Sequence, residues 1–282
     1  MELNKAGITY KAPEVILLQD TGLGVPELAA RTCYDSFENS ENDCIRTFHN
    51  GGVDTNIDLV NNIESSELLG DLAWTYFHHS ILEHTNLSFL VKGTSRGVLQ
   101  EHARHRIQAI SVRSTRYTMS SIINAFNASD SLKKFIELIQ KMDMFVVSGN
   151  MELMEIRHLY EKLQIQFNEI GSDEFLELSA TKKQQELLIN YGEHDTHRQM
   201  FNNLEALPKK RNVGDAFKWV VTDNWKVDMV VTFNLRSLKN YFDLRDSGAA
   251  YFQIRNLAKA MKAATPEKYL KLIDKSSREN NG

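Results

Sequence analysis

The chain has 282 residues, enough for one sizeable hydrophobic core or two modest ones, and its 42% hydrophobic and 25% charged residues are those of an ordinary globular protein. A formal net charge of −4 gives no overall attraction to nucleic acid or an anionic membrane, so any anion site has to be local. No apolar run is long enough to span a bilayer, and MELNKAGITYKAPEV lacks the basic-then-apolar order of a signal peptide, so the sequence reads as cytoplasmic with no membrane partner.

In chain order, EVILLQD (14–20) reads as a strand and PELAARTCYDSF (26–37) as a helix with Pro26 in its first turn. ELLGDLAWTYFHHS (67–80) has helical apolar spacing, and TNLSFLVKG (85–93) alternates as a half-buried strand does. TSRGVLQEHARHR (94–106) returns to helix with Thr94 or Ser95 as its cap. From about 130 to 206 helix follows helix, including DSLKKFIELIQKMDMFVV and MELMEIRHLYEKLQIQF. VGDAFKWVVTD (213–223) reads as helix, KVDMVVTFN (226–234) as the clearest strand, LRSLKNYFDLR (235–245) as helix, and AYFQIRNLAKAMKAA (250–264) as an amphipathic helix. Few strands separated by long helical stretches predict an α+β fold with a mixed or antiparallel sheet flanked by helices. Neither GxGxxG nor GxxxxGK[ST] is present, so a phosphate would have to be held without a glycine-rich loop.

The segment from His102 to Thr118, HARHRIQAISVRSTRYT, is the chemically dense one, with four arginines, two histidines, two serines and two threonines and no acid. Guanidinium forks interleaved with hydroxyls can bind a phosphate without a P-loop. On a helix ending near Arg106, Glu101 and Arg104 share a face, whereas Arg104 and Arg106 point apart and would serve different groups. A phosphate-binding nucleic-acid module is the alternative reading, against which stand the net acidity and the second arginine motif near Arg245.

Other groups carry blander readings. His78, His79, His84 and Glu83 need not converge where a helix leads into a strand, and HDTH (194–197) lacks the general base of a zinc protease, so no metal is expected. Trp74, Phe77 and Trp219 are read as core aromatics, and KKR (209–211) as a solvated loop. Cys33 and Cys44 set no CxxC spacing and read as reduced structural thiols, Cys33 buried mid-helix. Ser114 has no base within its motif and reads as a hydrogen-bonding hydroxyl.

Arg104, His105 and Arg106, then seven residues, then Ser114, with Arg116 and Tyr117 after it, resemble the signature of the flavin-dependent thymidylate synthases. HHSILEH (78–84) is similar to that family's His-x4-Glu-His segment, NLRSLKNYFDLR (234–245) to its NxRSLxNFxxLR segment, and ARTCYDSF (30–37) to its early helix. The resemblance covers roughly 25–38, 67–119 and 212–265. It implies a single domain over 1–282, with a mainly helical insertion at about 120–210 that inherits no roles. It also implies methylation of dUMP with methylenetetrahydrofolate as carbon donor, FAD as hydride carrier and NADPH as reductant, in a homotetramer with shared sites.

Residue by residue, the likeness places FAD against Ser80, Arg104, His105, Arg106, Val112, Asn234, the Leu235 backbone, Arg236 and Asn240. It places dUMP against Glu101, His102, Ala103 and Arg104, the loop of Val112, Arg113, Ser114, Thr115 and Arg116, and Lys218 and Arg245. Arg245 takes the catalytic role, promoting ionisation of the uracil ring. Val112 stands where a glutamate is frequent, Glu101 where glutamine is, Lys218 where arginine is, and Ala249 where a histidine is. A carboxylate at 101 near a phosphate is repulsive unless paired with Arg104 or turned away.

Overall fold

The computed structural model describes residues 2–51, 57–169 and 218–274. Its elements begin with β1 (Glu2–Lys5), β2 (Ile8–Lys11) and β3 (Glu14–Asp20), then α1 (Gly24–Tyr34), α2 (Asp43–Gly51), α3 (Ile57–Asn61) and α4 (Glu67–Trp74). A 3₁₀ turn (His79–His84) leads to β4 (Asn86–Ser95), α5 (Arg96–His102) and β5 (Ala109–Val112), followed by α6 (Thr115–Asn127), α7 (Leu132–Met142) and α8 (Asn150–Glu169). A second 3₁₀ turn (Lys218–Val220) precedes β6 (Lys226–Asn234), α9 (Leu235–Arg245), α10 (Phe252–Ala263) and α11 (Glu267–Ile273). The fold is α+β with antiparallel strand pairs. The chain divides into two compact units, Ala12–Val112 with Val227–Gly282, and Met1–Lys11 with Arg113–Lys226.

The first of these units is built on a four-stranded sheet of order β3-β4-β6-β5, with β3 and β5 antiparallel to their neighbours. Strict alternation sorts its residues. Leu87, Phe89 and Val91 of β4 and Val227, Met229, Val231 and Phe233 of β6 all point into the core. Leu235, Leu238 and Tyr241 of α9, Ile254, Leu257 and Met261 of α10, and Tyr269 and Leu272 of α11 complete that core. Each such side chain contributes about 1.5–3 kcal/mol on full burial. Gly24 opens α1 against the Val60 carbonyl, where a Cβ would come within 2.1 Å, so α1 meets the end of α3 backbone to backbone.

The other unit joins the β1–β2 hairpin to α6, α7 and α8. Residues Ala6 and Gly7 at the hairpin tip have φ of 54° and 79°, the positive angles a tight two-residue turn requires. Lys11 donates to Asp143 at 2.7 Å and to Glu152 at 3.1 Å. Phe126, Phe135 and Tyr160 pack together between α6, α7 and α8.

Several expectations change. The helix expected over 94–106 runs only from Arg96 to His102, capped by the Ser95 hydroxyl on the Val98 N–H at 3.1 Å. It stops because Gln108 donates its amide to the carbonyls of His102 at 3.0 Å and His105 at 2.7 Å, leaving Arg104, His105 and Arg106 on a loop. Phe77 is 64% exposed with φ of 55°, and Trp219 is 54% exposed, so neither is core; Trp74 alone of the three is buried. Cys33 is exposed near the end of α1 rather than buried. Within 213–223 the described residues are 218–223, of which Lys218–Val220 form a short 3₁₀ turn and the rest are not helical. HDTH (194–197) and KKR (209–211) lie outside the described residues.

Candidate active site

α9 carries one half of the site. Its first turn is fixed by Asn234, whose side-chain oxygen accepts the Ser237 N–H at 2.8 Å, and by the Leu235 N–H on the Thr85 carbonyl at 3.0 Å. With the start of the helix set, the 3.6-residue period puts Arg236, Lys239 or Asn240, and Asp243 on one face. The other half is the loop after α5. The two halves and the 3₁₀ turn enclose a cleft of about 700 Å³, lined by Arg104, His105, Arg106 and Ile107, by His79 and Glu83, and by α9 from Arg236 to Arg245.

Beneath the loop, His102 is fully buried, with Nδ1 3.0 Å from the Tyr241 hydroxyl and its ring edge-on to Phe233 and Tyr241. Burial, reinforced by His105 and Arg245, drives its pKa down to about 4, so it is neutral. Burial likewise pushes the Tyr241 phenol well above its ordinary value. His105 stacks edge-on against Tyr241 with centroids 4.8 Å apart, and burial together with Arg245 lowers its pKa against the opposing pull of Glu101.

Arg245 bridges the halves. Its Nε donates to His105 Nε2 at 2.8 Å, Nη1 to Glu101 Oε2 at 2.9 Å, and Nη2 to the Glu101 carbonyl at 3.3 Å. Arg104 approaches the other Glu101 oxygen at 3.7 Å. The carboxylate at 101 is therefore paired. Arg236 meets Glu83 at 2.5 Å, and Lys239 lies between Asp243 at 2.9 Å and the Trp74 ring at 5.0 Å.

Of the residues implicated from sequence, Arg104, His105, Arg106, Arg236, Asn240 and Arg245 line this cleft, and Glu101 reaches it through Arg245. Ala103 is exposed on the loop and Ser80 on the 3₁₀ turn, neither of them lining the cleft. The His102 side chain belongs to the core, Asn234 caps α9, and Leu235 is buried with its N–H already engaged. Val112 faces inward from β5, half-buried. Arg113, Ser114, Thr115, Arg116 and Lys218 belong to the other unit. Sequence reasoning missed Ile107, Ser237, Lys239, Asp243 and Leu244 as lining residues; the helical spacing from Arg236 would have found Lys239 and Asp243. His79 and Glu83, considered as metal ligands, instead meet the Ala73 carbonyl at 2.9 Å and Arg236. Among the described residues no group of three or more His, Cys, Asp or Glu side chains could hold a metal ion.

The chain is similar to several known proteins. The family described as thymidylate synthase complementing protein matches residues 17–268. The flavin-dependent thymidylate synthase of Campylobacter jejuni (strain RM1221) is 29% identical over 256 residues, covering 91% of this chain and 93% of the relative. That of Helicobacter pylori (strain ATCC 700392 / 26695) is 28% identical over 262 residues, covering 93% and 97%. The crystal structure of Thymidylate Synthase X from Helicobacter pylori with FAD and dUMP superposes with a TM-score of 0.59 at 25% identity, covering 93% of this chain and 97% of that one. Because the matched span runs from β3 into α11, and so takes in both the RHR loop and the α9 arginines, this chain belongs to the thymidylate synthase complementing protein family, that of the flavin-dependent thymidylate synthases.

Proposed function

We propose that the chain methylates dUMP to dTMP, with FAD bound at the arginine cleft, methylenetetrahydrofolate as carbon donor and NADPH as reductant. The observation that carries the reading is Arg245, held by His105 and Glu101 in a cleft whose other cations are Arg104, Arg106, Arg236 and Lys239. Its donor set suits FAD and a nucleotide: guanidinium forks match phosphate oxygens, and exposed Ile107 and Leu244 offer apolar surface to a planar ring.

When bound, FAD supplies the hydride chemistry. The chain's own residues position and polarise. Arg104, His105, Arg106, Arg236 and Asn240, which line the cleft, are assigned to FAD together with Ser80, Val112, Asn234 and Leu235. The stretch Glu101, His102, Ala103 and Arg104, the loop from Val112 to Arg116, Lys218 and Arg245 are assigned to the nucleotide. Carbon–carbon bond formation at carbon 5 of uracil builds negative charge on the ring and its carbonyl oxygens, and a guanidinium fixed beforehand stabilises that charge without reorganising. No cysteine nucleophile is assigned; exposed Cys33 is not among the residues that line the cleft.

We further assign the protein to the cytoplasm as a homotetramer with shared sites. The outward face of the sheet supports assembly, since Ile16, Leu18 and Val230 on it are 37%, 52% and 38% exposed. Among the described residues no helix is long and apolar enough to cross a membrane. The deciding experiment is an absorbance spectrum of the purified protein followed by tritium release from 5-tritiated dUMP, with and without NADPH. A yellow protein that bleaches with NADPH and releases tritium is expected; a colourless protein that makes no dTMP overturns the reading.

A further inference from the structure

A guanidinium has five N–H donors, and in Arg245 three of them are engaged by the protein itself: one by the His105 ring, one by the Glu101 side chain and one by the Glu101 carbonyl. All three acceptors come from one short stretch, the last turn of α5 and the loop after it. His105 is itself held. Its ring lies against Tyr241, its carbonyl accepts the Gln108 amide at 2.7 Å, and Tyr241 is fully buried with its hydroxyl on His102. An imidazole that accepts at Nε2 must carry its single proton on Nδ1. The groups facing it fit the neutral form: Arg245 opposes a second proton, His102 beside it is neutral, and Glu101 is committed to Arg245.

We propose that His105 and Glu101 are positioning residues that clamp the Arg245 guanidinium in one plane before any ligand arrives, leaving one N–H on each Nη for the substrate. Two donors held in one plane can reach a ring carbonyl oxygen of a pyrimidine, and the neighbouring ring nitrogen once it has given up its proton, and a free arginine would have to give up rotamer freedom to present them. The carboxylate at 101 thus has a use peculiar to its place: it neutralises and orients Arg245 from the α5 side while His105 fixes the Nε side. The inference rests on the dUMP-methylating reading for what the two remaining donors meet, whereas the clamp is a property of the chain alone.

Two substitutions separate an acceptor from a ring. His105→Gln offers a carbonyl oxygen near the position of Nε2, and His105→Phe keeps an aromatic ring on Tyr241 while accepting nothing. Because His105 also lines the cleft assigned to FAD, bound flavin is quantified in each variant and rates are compared per bound flavin. On that basis His105→Gln is expected to release tritium about tenfold or more faster than His105→Phe, which loses about 10²-fold against the parent, the cost of a small misplacement of a reacting group. Equal losses in the two variants, or parent-like turnover in His105→Phe, overturn the clamp. Crystal structures of the ligand-free variants give a second readout: Arg245 is expected to stay on residues 101 and 105 in His105→Gln and to turn away in His105→Phe, and an unmoved guanidinium in the latter also overturns it. If the parent protein releases no tritium, the dUMP reading falls while these structures still decide the clamp.

Discussion

Replacing Arg245 with alanine tests the site at its centre. The substitution removes three hydrogen bonds and leaves Glu101 with Arg104 alone, at 3.7 Å. Hydrogen bonds to charged groups contribute about 1.5–3 kcal/mol each when shielded. Here the Glu101 side chain is 34% exposed and Arg245 18%, so solvent screening reduces the sum to about 1–2 kcal/mol. For a chain of this size that lowers Tm by about 2–8 °C, well short of unfolding a domain with stability on the order of 5–15 kcal/mol. The effect on chemistry is larger. Each preorganised donor on a developing negative charge is worth about 10²–10³-fold in kcat, so with two donors facing the substrate the variant should lose at least about 10³-fold while keeping its flavin. Thermal melts, the flavin spectrum and tritium release from 5-tritiated dUMP measure the three quantities on one preparation. Turnover within about tenfold of the parent in a folded, yellow variant refutes the role of Arg245.

Three other outcomes are expected. His102 has a folded pKa of about 4 against 6.5 when free, so the unfolded chain binds the extra proton in that window; stability present above pH 6.5 is lost as pH falls toward 4, by roughly 3 kcal/mol. Denaturant melts across this range should show the loss, and His102→Gln, which cannot titrate, should flatten it; an unchanged slope rejects the assignment. Asn234→Ala removes the α9 cap and should cost about 1 kcal/mol in denaturation and weaken flavin retention, whereas parent-like stability would mean the cap is idle. Cys33→Ala and Cys44→Ala should each keep full tritium release, and loss of activity in a folded variant would bring back a thiol mechanism.

Some elements are legible in the sequence to the residue. β3, β6 and α9 have the bounds expected from the sequence: β6 carries an alternation and α9 a helical stripe between clear stops, while β3 is a short apolar run whose alternation is broken by a register shift between Leu17 and Gln19. The hairpin of β1 and β2 escaped, since Ala6–Gly7 lacks the Asn-Gly or Asp-Gly signal of its turn. β5 escaped because four residues, half of them outward-facing, are too short for a period to stand out inside an arginine-rich segment. Phe77 and Trp219 were misjudged for a related reason: periodicity tells which residues share a face, not whether anything covers that face.

The ordering of motifs along the chain was enough to fix the family resemblance and to single out Arg104, His105, Arg106, Arg236 and Arg245, because family-specific spacing survives where overall identity is low. Which of them meet was decided only in three dimensions. His105 and Arg245 are 140 residues apart, and their hydrogen bond exists because Gln108 ends α5 early and the β6–α9 junction aims the last turn of α9 at the freed loop. Local sequence encodes which side chains can bond; the distance between them is set by packing of the shared core under both elements, which no single segment contains.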